Sequence, residues 1–88
     1  MHLIEEHLLR KVNGKVVLVP LSDRETDFNG MIVLNHTGAF VCRMLSEDID
    51  RDSLIEGLAE EYGVAPERVA ADLDAFLEEL DACHMLRR

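Results

Sequence analysis

The side chains best equipped for metal or nucleophilic chemistry here are four histidines and two cysteines. His2, His7, His36 and His84 are scattered, and none stands at i, i+4 from another histidine or cysteine. That is the spacing that sets two ligands on one helical face. Cys83 and His84 are adjacent, which is a poor chelating geometry. Cys42 has Arg43 beside it but no histidine placed locally as a base, so it reads as a buried structural thiol. Cys42 and Cys83 form no CxxC, and two such thiols suit a reduced, cytosolic protein. There is no glycine-rich phosphate loop. The expectation is no catalytic residue, no metal and no cofactor.

Asp52-Ser53-Leu54 carries a different chemistry. It opens an acidic helix and resembles the phosphopantetheine attachment site of acyl and peptidyl carrier proteins, in which the serine hydroxyl holds the prosthetic arm. Asp and Ser are also ordinary first-turn residues of any helix. Carrier proteins are all-helical, whereas the first 34 residues here read as strands and turns. A DNA-binding winged helix is the other alternative, since three short helices beside a small sheet are its parts. Its reading helix needs Arg, Lys, Asn or Gln toward the duplex. The third helix instead sets Arg68 against Glu67, Asp72, Asp74, Glu78, Glu79 and Asp81, with Asp74 on its outer side.

Charge sharpens that exclusion. The net charge is −9. Residues 1–44 balance Arg10, Lys11, Lys15, Arg24 and Arg43 against Glu5, Glu6, Asp23, Glu25 and Asp27, so the whole excess lies in the second half. Phosphate neutralisation supplies most affinity for nucleic acid, and an acidic helical half works against it. A chain of 88 residues makes one domain over 1–88. It can bury roughly 60–65% of its unfolded surface in a modest core. No signal peptide is evident, and no apolar run approaches the roughly 20 residues that span a bilayer. A cytoplasmic protein with no membrane partner is expected.

The elements that position these residues follow from period and punctuation. Asn13-Gly14 is a strong hairpin signal, because both central residues of a type I′ turn need positive φ. A two-residue loop pairs Val12 with Lys15, Arg10 with Val17 and Leu8 with Val19 on one face. It pairs Lys11 with Val16 and Leu9 with Leu18 on the other. Both faces are mixed, so the buried one is open. Ser22 to Gly30 reads as a loop. At Met31-Ile32-Val33-Leu34 an apolar run of strand length gives way to helical spacing at Phe40, Val41, Met44 and Leu45, with Asn35 as N-cap. The first helix is expected from about His36 to Ser46. Gly38 near its start either costs helix propensity or permits close packing on a neighbour. The second helix starts after Asp50 and stops at Gly63. The third has Pro66 at its first position and the stripe Val69, Leu73, Phe76, Leu77, Leu80, reaching about Ala82. Met85-Leu86 is expected to tuck onto the core, with Arg87-Arg88 as a tail. Together these describe an α+β domain, a three-stranded antiparallel sheet followed by three helices.

Leu34-Asn35-His36-Thr37-Gly38-Ala39-Phe40 resembles the "LN-x-TGA" segment of the PqqD-like family. Leu54 to Val64 and Phe76 to Leu80 are similar to that family's second and third helices. The resemblance covers about residues 7–86. It departs from the pattern at Cys83-His84-Met85-Leu86, where a Gly-Leu-Leu-like close is common.

The resemblance implies a winged helix-turn-helix-like fold with its strands at the N-terminus, and a non-catalytic module that recognises precursor peptides. The leader of a ribosomally made peptide would add as a strand to Met31, Ile32, Val33 and Leu34. It would lie against the third helix at Arg68, Val69, Asp72, Leu73 and Phe76. The peptide would then be presented to a modifying enzyme, typically a radical S-adenosylmethionine enzyme. An open strand edge offers unpaired N–H and C=O groups, which suits that use. The same edge permits self-pairing, so a homodimer is compatible with it.

Overall fold

The computed structural model describes residues 1–21 and 31–88. The stretch from Ser22 to Gly30, expected as a loop, lies outside the described residues. In chain order the elements are β1 (His2–Leu3), β2 (His7–Val12), β3 (Lys15–Pro20), β4 (Ile32–Leu34), α1 (His36–Met44), α2 (Arg51–Tyr62), α3 (Pro66–Ala82) and β5 (Leu86–Arg87). The third strand of the sheet, β4, begins one residue later than its apolar run.

The hairpin is built as its turn dictates. Asn13 and Gly14 have φ of 52° and 80°, as the two-residue primed turn requires. The register pairs Val12 with Lys15, Arg10 with Val17 and Leu9 with Leu18. Antiparallel β4 adds to β3 through Val16–Leu34, Val17–Val33 and Leu18–Ile32, giving the order β2-β3-β4. The helices decide which face is buried. Leu9, Val16, Leu18, Ile32 and Leu34 turn inward onto the core, while Leu8, Val12 and Val33 on the opposite face are exposed. Val17, also on that opposite face, is nevertheless buried.

Each helix starts and stops on a local signal. The Asn35 side chain accepts from the Gly38 N–H at 2.7 Å, and that of Asp50 accepts from the Ser53 N–H at 2.7 Å. Either cap satisfies a donor that the first turn leaves orphaned. Gly63 ends α2 in the left-handed conformation, with φ 63°. α1 closes at Met44 with Leu45 as its cap, two residues short of the expected end. Between sheet and helices the fully buried side chains are Leu18, Val41, Cys42, Leu45, Leu54, Leu58, Leu73, Leu80 and Met85.

Two expectations are corrected. Arg87 is not part of a tail: it pairs with His2, and Leu86 with Leu3, in a two-stranded ribbon of β1 and β5. The ribbon is held on the core by Leu3 N–H to Leu45 O and Ile4 N–H to Met85 O, both 2.9 Å. Asp74 is not a bystander on the outer face of α3 either. Arg51 donates to it through Nε and Nη2 at 2.7 and 2.8 Å, tying α2 to α3.

Candidate functional site

Which residues of β4 face away from the sheet follows from one hydrogen bond and the alternation of an antiparallel ladder. Leu21 N–H donates to Glu6 O at 2.9 Å, which extends the β2–β3 register by one pair. Each residue of an antiparallel strand directs both its N–H and C=O to one side, and its neighbours direct theirs to the other. Odd residues of β3 therefore bond to β2, and Val16 and Leu18 bond to β4. Their partners Leu34 and Ile32 are consumed inside the sheet. Val33 turns both backbone groups outward, and among the described residues no strand pairs with that side. The same alternation places Pro20 opposite His7 at a non-bonded pair, so its missing N–H takes no bond from the β2–β3 ladder.

Where β4 ends, a hollow of about 570 Å³ opens at Asn35. Thr37, Gly38 and Val41 of α1 form one wall, and Leu58 and Tyr62 of α2 form the back. Val69, Asp72, Leu73, Phe76 and Glu79 of α3 form the other wall. Gly38 sets its width. A Cβ at that position would stand 3.4 Å from the Phe76 ring and 3.2 Å from Asn35 Oδ1. The glycine therefore serves close packing of α1 on α3, the second of the two roles open to it. Tyr62 is fixed at the back by the His36 Nδ1–hydroxyl contact of 3.0 Å and by edge-on packing against Phe40.

Of the residues singled out from sequence, Val69, Asp72, Leu73 and Phe76 meet in this hollow. Val33 and Leu34 line a second hollow of about 700 Å³, between the hairpin tip and α1. Ile32 packs on the core, and Met31 precedes the strand with 53% of its surface exposed. Arg68, in the first turn of α3, lines neither. Asn35, Gly38, Tyr62 and Glu79 were not singled out as site residues. Asn35 and Gly38 carried signals, as an N-cap and as a glycine early in a helix, both within the Leu34 to Phe40 motif.

Cys42, Asp50 and Asp74 have shifted acidities, and none of them lines either hollow. Burial pushes the Cys42 thiol up to about 12, far from a nucleophile's range. Asp50 is held below the usual carboxylate range by the Ser53 N–H, and Asp74 by its bonds from Arg51. Both belong to helix architecture. Among the described residues no three His, Cys, Asp or Glu side chains are grouped to hold a metal ion. No helix among them is long and apolar enough to cross a membrane.

The family model described as coenzyme PQQ synthesis protein D (PqqD) matches residues 15–86. No curated protein matches the chain. A solved structure, "TbiB1 in Complex with the TbiA(beta) Leader Peptide", is similar at a TM-score of 0.78 and 22% identity. The match covers 99% of this chain and 95% of that one. At that identity the likeness carries the α+β fold. The family match takes in β3, β4 and all three helices, and so every wall of the first hollow; the chain belongs to the PqqD family.

Proposed function

We propose that this protein binds the leader segment of a ribosomally synthesised precursor peptide by strand addition along β4, and presents it to a modifying enzyme without catalysing a step itself. The observation that carries the reading is the outward-facing backbone of Val33, on an edge that runs into the hollow at Asn35. Membership of the PqqD family supports it, as does the likeness to a protein solved with a leader peptide. The family resemblance favours a radical S-adenosylmethionine enzyme as the partner, in the cytoplasm. The exposed edge is also where two copies would pair as a homodimer.

Magnitudes assign the parts. Two ladder bonds at Val33 contribute about 1 kcal/mol each net, against the roughly 8 kcal/mol of a micromolar complex. The edge sets register and direction. Most affinity must come from peptide side chains entering the hollow at Val69, Leu73 and Phe76, at roughly 25 cal/mol per Å² of apolar surface buried. Alternate peptide residues, those opposite Ile32 and Leu34, share the helix-facing side of the sheet.

Amide exchange with the leader of a precursor encoded beside this gene tests the reading. Bound peptide should slow exchange at Val33 and leave Ile32, already bonded to β3, unchanged. Saturable binding with no added protection at Val33 would place the peptide elsewhere.

A further inference from the structure

The acids of residues 1–44 are Glu5, Glu6, Asp23, Glu25 and Asp27, and they leave two stretches that carry cations alone. From His7 to Leu21 and from Met31 to Ser46 the chain carries Arg10, Lys11, Lys15 and Arg43 and no carboxylate side chain. Three of these cations converge. Lys11 and Lys15 flank the hairpin turn, Arg43 comes from α1, and with His36 they line the second hollow, where no Asp or Glu stands among the described residues. None of the three is ion-paired among the described residues. The first hollow has the opposite sign: among the described residues Asp72 and Glu79 line it and no Lys or Arg does. Asn35 belongs to both, so the two meet where β4 becomes α1.

We propose that the basic groove between the hairpin tip and α1 binds an Asp/Glu-rich stretch of the same peptide that docks on β4, next to its strand-forming residues. This rests on the strand-addition reading and adds a charge pattern to the ligand. A chain leaving β4 at the Asn35 end passes from an acidic hollow to a basic one. Carboxylates are repelled from the first and attracted by the second, so the groove helps to set which way the peptide lies. A second copy of this chain is a poorer occupant, since its helical half carries the whole net negative charge but on helices rather than on an extended segment. The cations are exposed, which makes the interaction modest and sensitive to salt.

Fluorescein-labelled octaglutamate is the probe, with octaglutamine as control, followed by anisotropy. Octaglutamate should bind more tightly than octaglutamine and weaken as salt rises from about 0.05 M to about 0.5 M. Replacement of Lys11, Lys15 and Arg43 together by Gln should weaken it roughly tenfold at the lower salt. In the parent protein its amide shifts should centre on Lys15, His36 and Arg43, a readout that does not depend on how well the triple variant folds. Equal binding of the two probes overturns the proposal, and so do shifts centred elsewhere. Displacement by an equally charged oligothymidylate at lower concentration than octaglutamate overturns it too, because the groove would then read phosphates. None of these failures touches strand addition, which is read separately by protection of Val33 with the leader peptide.

Discussion

Arg51 and Asp74 join the start of α2 to the middle of α3 through two parallel hydrogen bonds, Nε to Oδ1 at 2.7 Å and Nη2 to Oδ2 at 2.8 Å. The arginine holds the Asp74 carboxyl below its ordinary range, by hydrogen bonding first and charge second. A carboxyl depressed in the folded state stabilises above its unfolded value and loses that contribution as pH falls through its folded value. Asp74→Asn should therefore lower the melting temperature at neutral pH, with the gap from the parent closing in strong acid. Both groups are exposed, so the effect is small. A gap that is the same at neutral pH and in strong acid would mean the pair is not the cause.

The cap on α1 and the glycine beside it oppose one another. Asn35→Ala leaves the Gly38 N–H without its acceptor and should cost about 1 kcal/mol. Gly38→Ala gains about 1 kcal/mol of helix propensity, but its Cβ presses on Asn35 Oδ1 at 3.2 Å and on Phe76 at 3.4 Å. Denaturant unfolding should find Gly38→Ala close to neutral in the parent and stabilising once Asn35 is Ala. A substitution that destabilises equally in both backgrounds would make the contact with Phe76 the governing one.

The thiols should separate cleanly. Burial in the core pushes the Cys42 thiol up to about 12, while Cys83 is only partly buried at the end of α3. With a chromogenic disulfide reagent at mildly alkaline pH, the native protein should release one equivalent quickly and the second only on unfolding. Two equivalents at one rate under native conditions would contradict the packing around Cys42.

Ser53 gives a direct test of the carrier alternative. Its backbone N–H is held by the Asp50 side chain in the first turn of α2, an architectural position. Coexpression with a phosphopantetheinyl transferase should leave the intact mass unchanged. A mass shift that vanishes in Ser53→Ala would make the serine a covalent site and displace the peptide-binding account.

Much of this architecture was legible because its signals are local. Asn13-Gly14 set the hairpin register, Asn35 and Asp50 the starts of α1 and α2, Gly63 the end of α2, and Pro66 the start of α3. What stayed hidden depends on partners remote in sequence. The β1–β5 ribbon joins two-residue strands from the two ends of the chain, too short for any period to register. The buried side of the hairpin was undecidable because both faces mix apolar and charged residues, and only the packing of the helices selects Leu9, Leu18 and Ile32.

The candidate hollow was only partly foreshadowed. The stripe on α3 held Val69, Leu73 and Phe76, and the family resemblance added Arg68 and Asp72 beside it, but periodicity cannot tell which margin of a stripe meets α1. That is why Arg68 was grouped with residues it does not join. The alternation at Ile32 and Val33 was beyond sequence for a different reason. It needs the β3–β4 register, which no turn fixes across the intervening residues.

That alternation gives the most direct test of strand addition. Ile32 and Val33 are adjacent, similar in size and differ in which neighbour their backbone serves, and proline removes only its own donor. Ile32→Pro should break the bond to Leu18 and lower the melting temperature, by an amount reflecting a ladder bond on the order of 1 kcal/mol plus the clash of the ring. Val33→Pro should largely spare the fold and weaken calorimetric binding of the leader peptide encoded nearby. If Val33→Pro stays folded and binds that peptide like the parent, the edge of β4 is not where the peptide docks.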